Sequence, residues 1–338
     1  MRVLFVVSGN NKHYDIAPFI KSQGESLVES GVEVYYFCIR GKGTLNYLKN
    51  VGRLKKQIKE GKYDLIHAHY SFCGWVAVLT GTKLPIVLSL MGDDATGTFK
   101  GQNIIQVKSR LLVLLAWGIQ YFVDAIVSKS PNIESVVHRK RISFLIPNGV
   151  RLDQFSINEN GYRMKLGLSE NMKYMLFLGN KADINKNFTL AEKSVELLNR
   201  PDVKLINPFR ITHDQVVEYL NSVDVFLLSS FSEGSPNVVK EAMACNCPMV
   251  VTNVGDTAWL VGTLEGCYVS TFDPVDFAQK ISFALDFAEK KRRTHGRERL
   301  FELGLDSHQI AIRIINVYSQ LLHPNQRGKK NLPQMQTG

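Results

Sequence analysis

The chain has 338 residues, 45% of them hydrophobic and 21% charged, with 25 Gly and 11 Pro. Those proportions exclude collagen, wholesale disorder and a disulfide-stapled mini-domain, and the length predicts two domains of about 150 residues each. The formal charge of +10 is lopsided: residues 1–150 hold 19 Lys and Arg against 10 Asp and Glu, residues 151–338 hold 22 against 21. A basic first half suits an anionic partner, whether a membrane surface, a phosphate-bearing substrate or nucleic acid.

The apolar run Val3–Val7 is too short for a signal peptide and is followed at once by polar Ser8-Gly9-Asn10, so it reads as a buried first strand. Further strands are expected at Val32–Cys38, Leu65–Ala68, Ile86–Leu90, Ala125–Ser128 and Ser143–Ile146, with helical spacing over Ile16–Glu29, Leu45–Lys59 and Val107–Val123. Leu45–Lys59 is basic and amphipathic, a candidate contact for anionic lipid through Lys49, Arg53, Lys55, Lys56 and Lys59. The apolar segment Leu111–Val127 contains Gln120 and Asp124 and falls short of the roughly 20 residues a bilayer span needs. Ile146-Pro147-Asn148-Gly149-Val150 is a turn-forming cluster and marks the domain break.

A second series of strands follows at Met175–Gly179, Val203–Ile206, Val225–Ser229, Met249–Thr252 and Gly266–Val269, with helices over Leu190–Leu198, Asn237–Ala244 and Pro274–Lys290. Continuous apolar strands alternating with helices predict parallel sheets covered on both faces. The expected architecture is therefore α/β, two doubly wound domains facing across a ligand cleft. The expected division is 1–150, 151–305, a C-terminal helix over 306–322 packing back on the first domain, and a disordered tail from 323. The five cysteines are scattered and mostly in apolar runs, which suits reduced thiols in a cytoplasm-like compartment. Cys245-Asn246-Cys247 is too tight for a zinc pair, and no metal or cofactor is expected.

Two loops carry the candidate chemistry. Ser232-Glu233-Gly234-Ser235-Pro236 follows an apolar strand and opens a helix, whose free N–H groups and positive dipole end form an anion site at the strand's carboxyl edge. Glu233 on the loop and Glu241 two turns later are placed toward the same wet cleft, where carboxylates accept hydrogen bonds from sugar hydroxyls. Gly179-Asn180-Lys181 to Lys186-Asn187-Phe188 follows another strand, and its two lysines suit a diphosphate. Phosphates on amides and cations, with hydroxyls on carboxylates, describe a nucleotide-sugar site.

On these residues the second half resembles the donor domain of retaining glycosyltransferases of GT-B fold, group 1, family 4 type. The likeness lies in Glu233…Glu241 (E-x7-E), the strand and Asn-Val-Gly turn over Pro248–Gly255, the Gly-Asn…Lys-Asn-Phe loop and the crossing segment Ile146–Val150. The resemblance implies transfer of a sugar from a nucleotide-sugar to a glycan acceptor, lipid-linked in cell-surface polysaccharide synthesis, by a cytoplasmic enzyme peripheral to the inner membrane face. It implies catalytic roles for Glu233 and Lys186. Donor binding would fall to Gly9, Lys181, Lys186, Gly234, Ser235, Pro236, Asn237, Val238 and Glu241, with the ribose on Glu241. Acceptor-side roles would fall to His69 and Asp94. Relatives often carry His-Gly-x-Asp where this chain has Met91-Gly92-Asp93-Asp94, and Arg where Lys181 stands. A non-catalytic subunit binding a glycan or nucleotide-sugar, or a nucleotide-sugar epimerase or phosphorylase, is the rival reading. No nucleic-acid motif is present.

Overall fold

The computed structural model describes residues 1–10, 14–102, 104–158 and 162–324, with the backbone alone for Lys108. The expected tail lies, from residue 325, outside the described residues.

The first sheet comprises β1 (Arg2–Ser8), β2 (Glu33–Ile39), β3 (Leu65–His69), β4 (Ile86–Leu90), β5 (Ala125–Ser128) and β6 (Ser143–Leu145), in the order β2-β1-β3-β4-β5-β6. The second comprises β7 (Lys173–Phe177), β8 (Val203–Ile206), β9 (Val225–Leu228), β10 (Met249–Thr252) and β11 (Cys267–Ser270), in the order β11-β10-β9-β7-β8. Every pairing within them is parallel. The helices are α1 (Pro18–Glu29), α2 (Thr44–Glu60), α3 (Ser71–Val78), α4 (Asp93–Thr96), α5 (Val107–Ile119), α6 (Pro131–Ser135), α7 (Phe188–Leu197), α8 (His213–Ser222), α9 (Asn237–Ala244), α10 (Thr257–Val261), α11 (Pro274–Lys291), α12 (Gly296–Glu302) and α13 (Ser307–Leu322). Each sheet with its helices is a doubly wound layer structure, and together they make a GT-B fold.

Alternation along β1 shows why the apolar runs are continuous. Val3, Phe5 and Val7 point into the core shared with α1 and α13, while Leu4 and Val6 point into the core under α2, α3 and α5. Both faces are covered, so both residue sets must be apolar. The helix expected to Val123 ends at Ile119, because the chain turns through Phe122 N–H to the Ile119 carbonyl and docks Asp124 on Ile86 at the start of β4.

The chain passes between the sheets at Val150 and returns at Asp306. Val150 N–H donates to the Leu305 carbonyl and Ser307 N–H to the Val150 carbonyl, both at 3.0 Å. Gly149 is required there, since a Cβ would lie 2.7 Å from Ser307 Cα. From this crossing α13 packs along α1, and Tyr318 joins its hydroxyl to His67 Nδ1 at 2.5 Å.

Candidate active site

The loops after β7 and β9 are laced together at their strand ends. Ser229 Oγ donates to the carbonyls of Lys186 (3.0 Å) and Asn187 (2.9 Å), Phe231 N–H to the Asn185 carbonyl (2.8 Å), and Asn185 Nδ2 to the Ser232 carbonyl (2.9 Å). Beneath the second loop lies the Asn-Val-Gly turn after β10. Gly255 has φ +59°, and a Cβ on it would come within 2.0 Å of the Gly234 carbonyl oxygen, so only glycine fits in both conformation and space. Asp256 N–H donates to that carbonyl at 3.1 Å. Pro236 is the residue before the first turn of α9, one place earlier than helix-start statistics favour. Among the described residues, the N–H groups of Gly234, Ser235, Asn237 and Val238 have no acceptor. They are free to meet an anion at the positive end of the helix.

Charged groups converge on these amides. Lys186 Nζ lies 2.7 Å from Glu233 Oε1. Burial alone would lower the lysine's pKa, but Glu233, with Asp183 and Asp93, outweighs it and holds the ammonium above its ordinary value. Asp93, from the N-terminal side, is raised by burial and then by facing Glu233. Asn132 Nδ2 of α6 donates to the Glu233 carbonyl at 3.0 Å, so residues from both sheets' domains meet at this loop. Deeper in, burial pushes the Glu241 carboxyl up to about 7, with Lys240 opposing. His213 Nε2, at the first turn of α8, stands 3.9 Å from Glu241 Oε1. Lys240 is fully buried and donates to the Asn148 carbonyl (2.7 Å) and to Ser235 Oγ (3.1 Å), tying the interdomain crossing to the donor loop.

Several sequence expectations need correction. Glu241 does not face a wet cleft; its side chain is only 12% exposed. Lys181 and Lys186 do not form a clamp, for the Lys181 ammonium rests 4.2 Å from the Phe188 ring centre while Lys186 is held by Glu233. Gly9 offers no free amide to a phosphate, because its N–H already donates to the Ile39 carbonyl at 2.9 Å. Its need for glycine is packing, a Cβ falling 2.9 Å from Cys38 Cβ. Asp94 is fully buried and accepts N–H bonds from Met91 (2.9 Å), Gly92 (3.1 Å) and Ser71 (2.8 Å). It shapes the 91–94 turn, and Asp93 is the acid that faces Glu233. His69 is buried too, its ring stacked 4.3 Å from His67 and tilted against Phe5 at 4.5 Å. His213, Lys240, Asp93 and Asn132 were missed by sequence reasoning. The one local signal was the capping box Thr212…Gln215, which opens α8 and places His213 at its start.

Comparison with known proteins decides the family. Residues 21–154 match the model for glycosyltransferase family 4 and residues 173–286 that for glycosyl transferases group 1. The chain is a group 1, family 4-type glycosyltransferase. Among curated relatives, Bacillus subtilis TuaC, a glycosyltransferase named for teichuronic acid biosynthesis, is 29% identical over 59% of this chain and 55% of its own length. The chain thus matches little more than half of that relative. The Escherichia coli UDP-Gal:α-D-GlcNAc-diphosphoundecaprenol α-1,3-galactosyltransferase is 23% identical over 74% of each chain. Sucrose-phosphate synthase from Thermosynechococcus elongatus shares the fold with a TM-score of 0.79 over 96% of this chain and 99% of its own, at 18% identity. Anabaena HepE, solved with UDP-glucose, does so with a TM-score of 0.71 over 95% and 100%, at 15% identity. In the glycosyltransferase, Glu233 and Glu241 are brought to one edge of the second sheet with Lys186 and the α9 amides. Among the described residues no group of three or more His, Cys, Asp or Glu is placed to hold a metal ion.

Proposed function

We propose that this glycosyltransferase moves a sugar from a nucleoside-diphosphate sugar to a lipid-linked glycan, with retention at the anomeric carbon, in cell-surface polysaccharide synthesis at the cytoplasmic membrane face. The observation that carries it is the meeting, at one sheet edge, of free helix-start amides, Lys186 and two part-buried carboxylates. The diphosphate takes the amides of Gly234–Val238 and the Lys186 ammonium, which leaves Glu233 as charge builds on the departing phosphate. Lys181 swings from Phe188 to join it. Glu241 accepts the ribose hydroxyls, and Glu233, once released, accepts hydroxyls of the transferred sugar beside the reacting carbon. Positioning and charge stabilisation supply the rate, and no metal is assigned a part. The UDP-glucose bound by HepE and the diphosphoundecaprenol acceptor in the E. coli relative's name support the donor and acceptor classes.

A second reading, a donor-binding subunit without transferase activity, is favoured by Met91, a side chain with no imidazole at the position where relatives often carry one. The test is a panel of UDP-, GDP- and dTDP-sugars with undecaprenyl-diphosphate-linked sugar as acceptor. Nucleotide release that requires acceptor, giving a product whose anomeric proton coupling matches the donor's configuration, supports transfer with retention. Inversion would overturn retention, and donor binding without any transfer would favour the second reading.

A further inference from the structure

Helix α5 carries an apolar face that nothing in the described structure covers. Val107, Leu111, Leu114 and Trp117 recur at helical spacing, Tyr121 continues the row in the turn after the helix, and all are exposed, Leu111 and Leu114 at 64% and Trp117 at 50%. A soluble surface rarely leaves so many large side chains contiguous on one helix without a partner. From Ala95 to Val123 the chain has no Asp or Glu, while Lys100 and Arg110 are exposed. The aromatic end of the face abuts a second basic segment: the His138 ring lies 4.8 Å from both Trp117 and Tyr121, and exposed Lys140 and Arg141 follow.

The same layer includes the basic helix α2. Leu54 of α2, Val76 of α3 and Ala116 and Ile119 of α5 share one core cluster, so all three helices cover one face of the first sheet. Lys49, Arg53, Lys55, Lys56 and Lys59 are exposed on the outside of α2. Of its apolar residues, Leu54 is fully buried and Val51 and Ile58 pack against the core, while Leu45 and Leu48 near its start are exposed. The basic charge of this layer thus comes mainly from α2 and its apolar surface mainly from α5. The short helix α4, which carries Asp93 toward the Lys186–Glu233 pair, packs on α5, so α5 is a neighbour of the element that faces the candidate site.

We propose that this layer is a membrane-docking surface, with α5 lying in the headgroup region of an anionic bilayer and the α2 lysines held over it. Trp and Tyr favour that depth, and interfacial helices combine buried apolar area with basic charge. A second copy of the chain is the poorer occupant, because pairing this face with itself would bring like-charged basic clusters together. The inference deepens the lipid-linked acceptor reading by stating how the cleft reaches its acceptor, yet its test is independent of catalysis.

The test is sedimentation with vesicles of pure phosphatidylcholine and of equimolar phosphatidylcholine and phosphatidylglycerol, at low and high NaCl. Wild type is expected to partition at least tenfold better to the anionic vesicles, with part of that binding surviving high salt. A Leu111→Ser/Leu114→Ser/Trp117→Ser variant should lose at least tenfold in partition and lose the salt-resistant part. A Lys55→Glu/Lys56→Glu/Lys59→Glu variant should lose the salt-sensitive part. These sites are exposed, so circular dichroism and UDP-sugar affinity should match wild type in both. Undiminished vesicle binding by the triple-serine variant overturns the proposal. So does a wild-type dimer in light scattering that the same variant converts to monomer. A chain that binds vesicles as described but binds no nucleotide-sugar would refute the proposed function and leave the docking surface standing.

Discussion

Donor binding should be coupled to the ionisation of Glu241. Burial holds this carboxyl up to about 7, so near neutrality the empty enzyme is divided between acid and carboxylate forms. Ribose hydroxyls donate to the carboxylate, and only that form offers them two good acceptors. With a midpoint near 7, about 90% of molecules are competent at pH 8 and about 10% at pH 6. The dissociation constant for a UDP-sugar should therefore be about tenfold weaker at pH 6 than at pH 8, or about 1.4 kcal/mol. A sugar diphosphate diester keeps constant charge over this range, unlike free UDP. His213, 3.9 Å away, is held below its ordinary value by burial and adds no opposing step between 7 and 8. Calorimetry in buffers of different ionisation enthalpy should find about half a proton released at pH 7. Stability carries the opposite sign. A folded-state value above the unfolded one favours the fold below the unfolded pKa of roughly 4.3 and is lost as pH rises through about 7. Glu241→Gln should thus be more stable than wild type at pH 8, by up to about 4 kcal/mol, while binding donor weakly and without pH dependence. A wild-type affinity flat from pH 6 to 8, or the same slope in Glu241→Gln, would refute the coupling.

Four further outcomes follow from the structure. Lys186→Ala should cut turnover by roughly 10²–10³ with a smaller change in donor affinity, and wild-type turnover should persist in EDTA; steady-state kinetics check both, and unchanged turnover in the variant would remove Lys186 from the leaving-group role. Gly255→Ala sets a Cβ against the Gly234 carbonyl at φ +59° and should cost about 1–3 kcal/mol while displacing the donor loop, so thermal midpoint and donor affinity should fall together; a loss of neither would mean the turn does not support the loop. Asp94→Asn replaces a carboxylate that accepts three N–H bonds and should lower stability by about 1–3 kcal/mol with donor affinity intact, whereas a selective loss of acceptor turnover would return Asp94 to a direct catalytic role.

What could be read from sequence was what local pattern encodes. Strands covered on both faces announce themselves as apolar runs, so Ile86–Leu90, Ala125–Ser128 and Met249–Thr252 were located to the residue. Glu233 and Lys186 were legible because each follows such a strand and precedes a helix start. The features missed depend on distant partners. Lys240 reads as a solvated helix lysine until the carbonyl of Asn148, far earlier in the chain, is seen to accept its hydrogen bond. Gly9 looks like a phosphate glycine until Ile39 takes its N–H. His67 finds Tyr318 across the whole chain, and stacking on His67 seals His69 in the core. Asp93 and Asp94 differ by one position, and no periodicity says which of two adjacent acids turns inward. The basic stripe of α2 was visible in sequence, but the apolar face of α5 was not, since Leu111–Val127 is apolar enough to read as buried on every side.

The most direct test of the donor site is calorimetric titration of UDP-, GDP- and dTDP-sugars into wild type and Glu241→Ala at pH 8. One donor class should bind wild type with one-to-one stoichiometry, and the variant should bind it at least tenfold more weakly while remaining folded. Equal affinity in the two proteins, or a folded wild type that binds none of the three donor classes, would contradict the assignment of the Glu233–Glu241 loop as the nucleotide-sugar site.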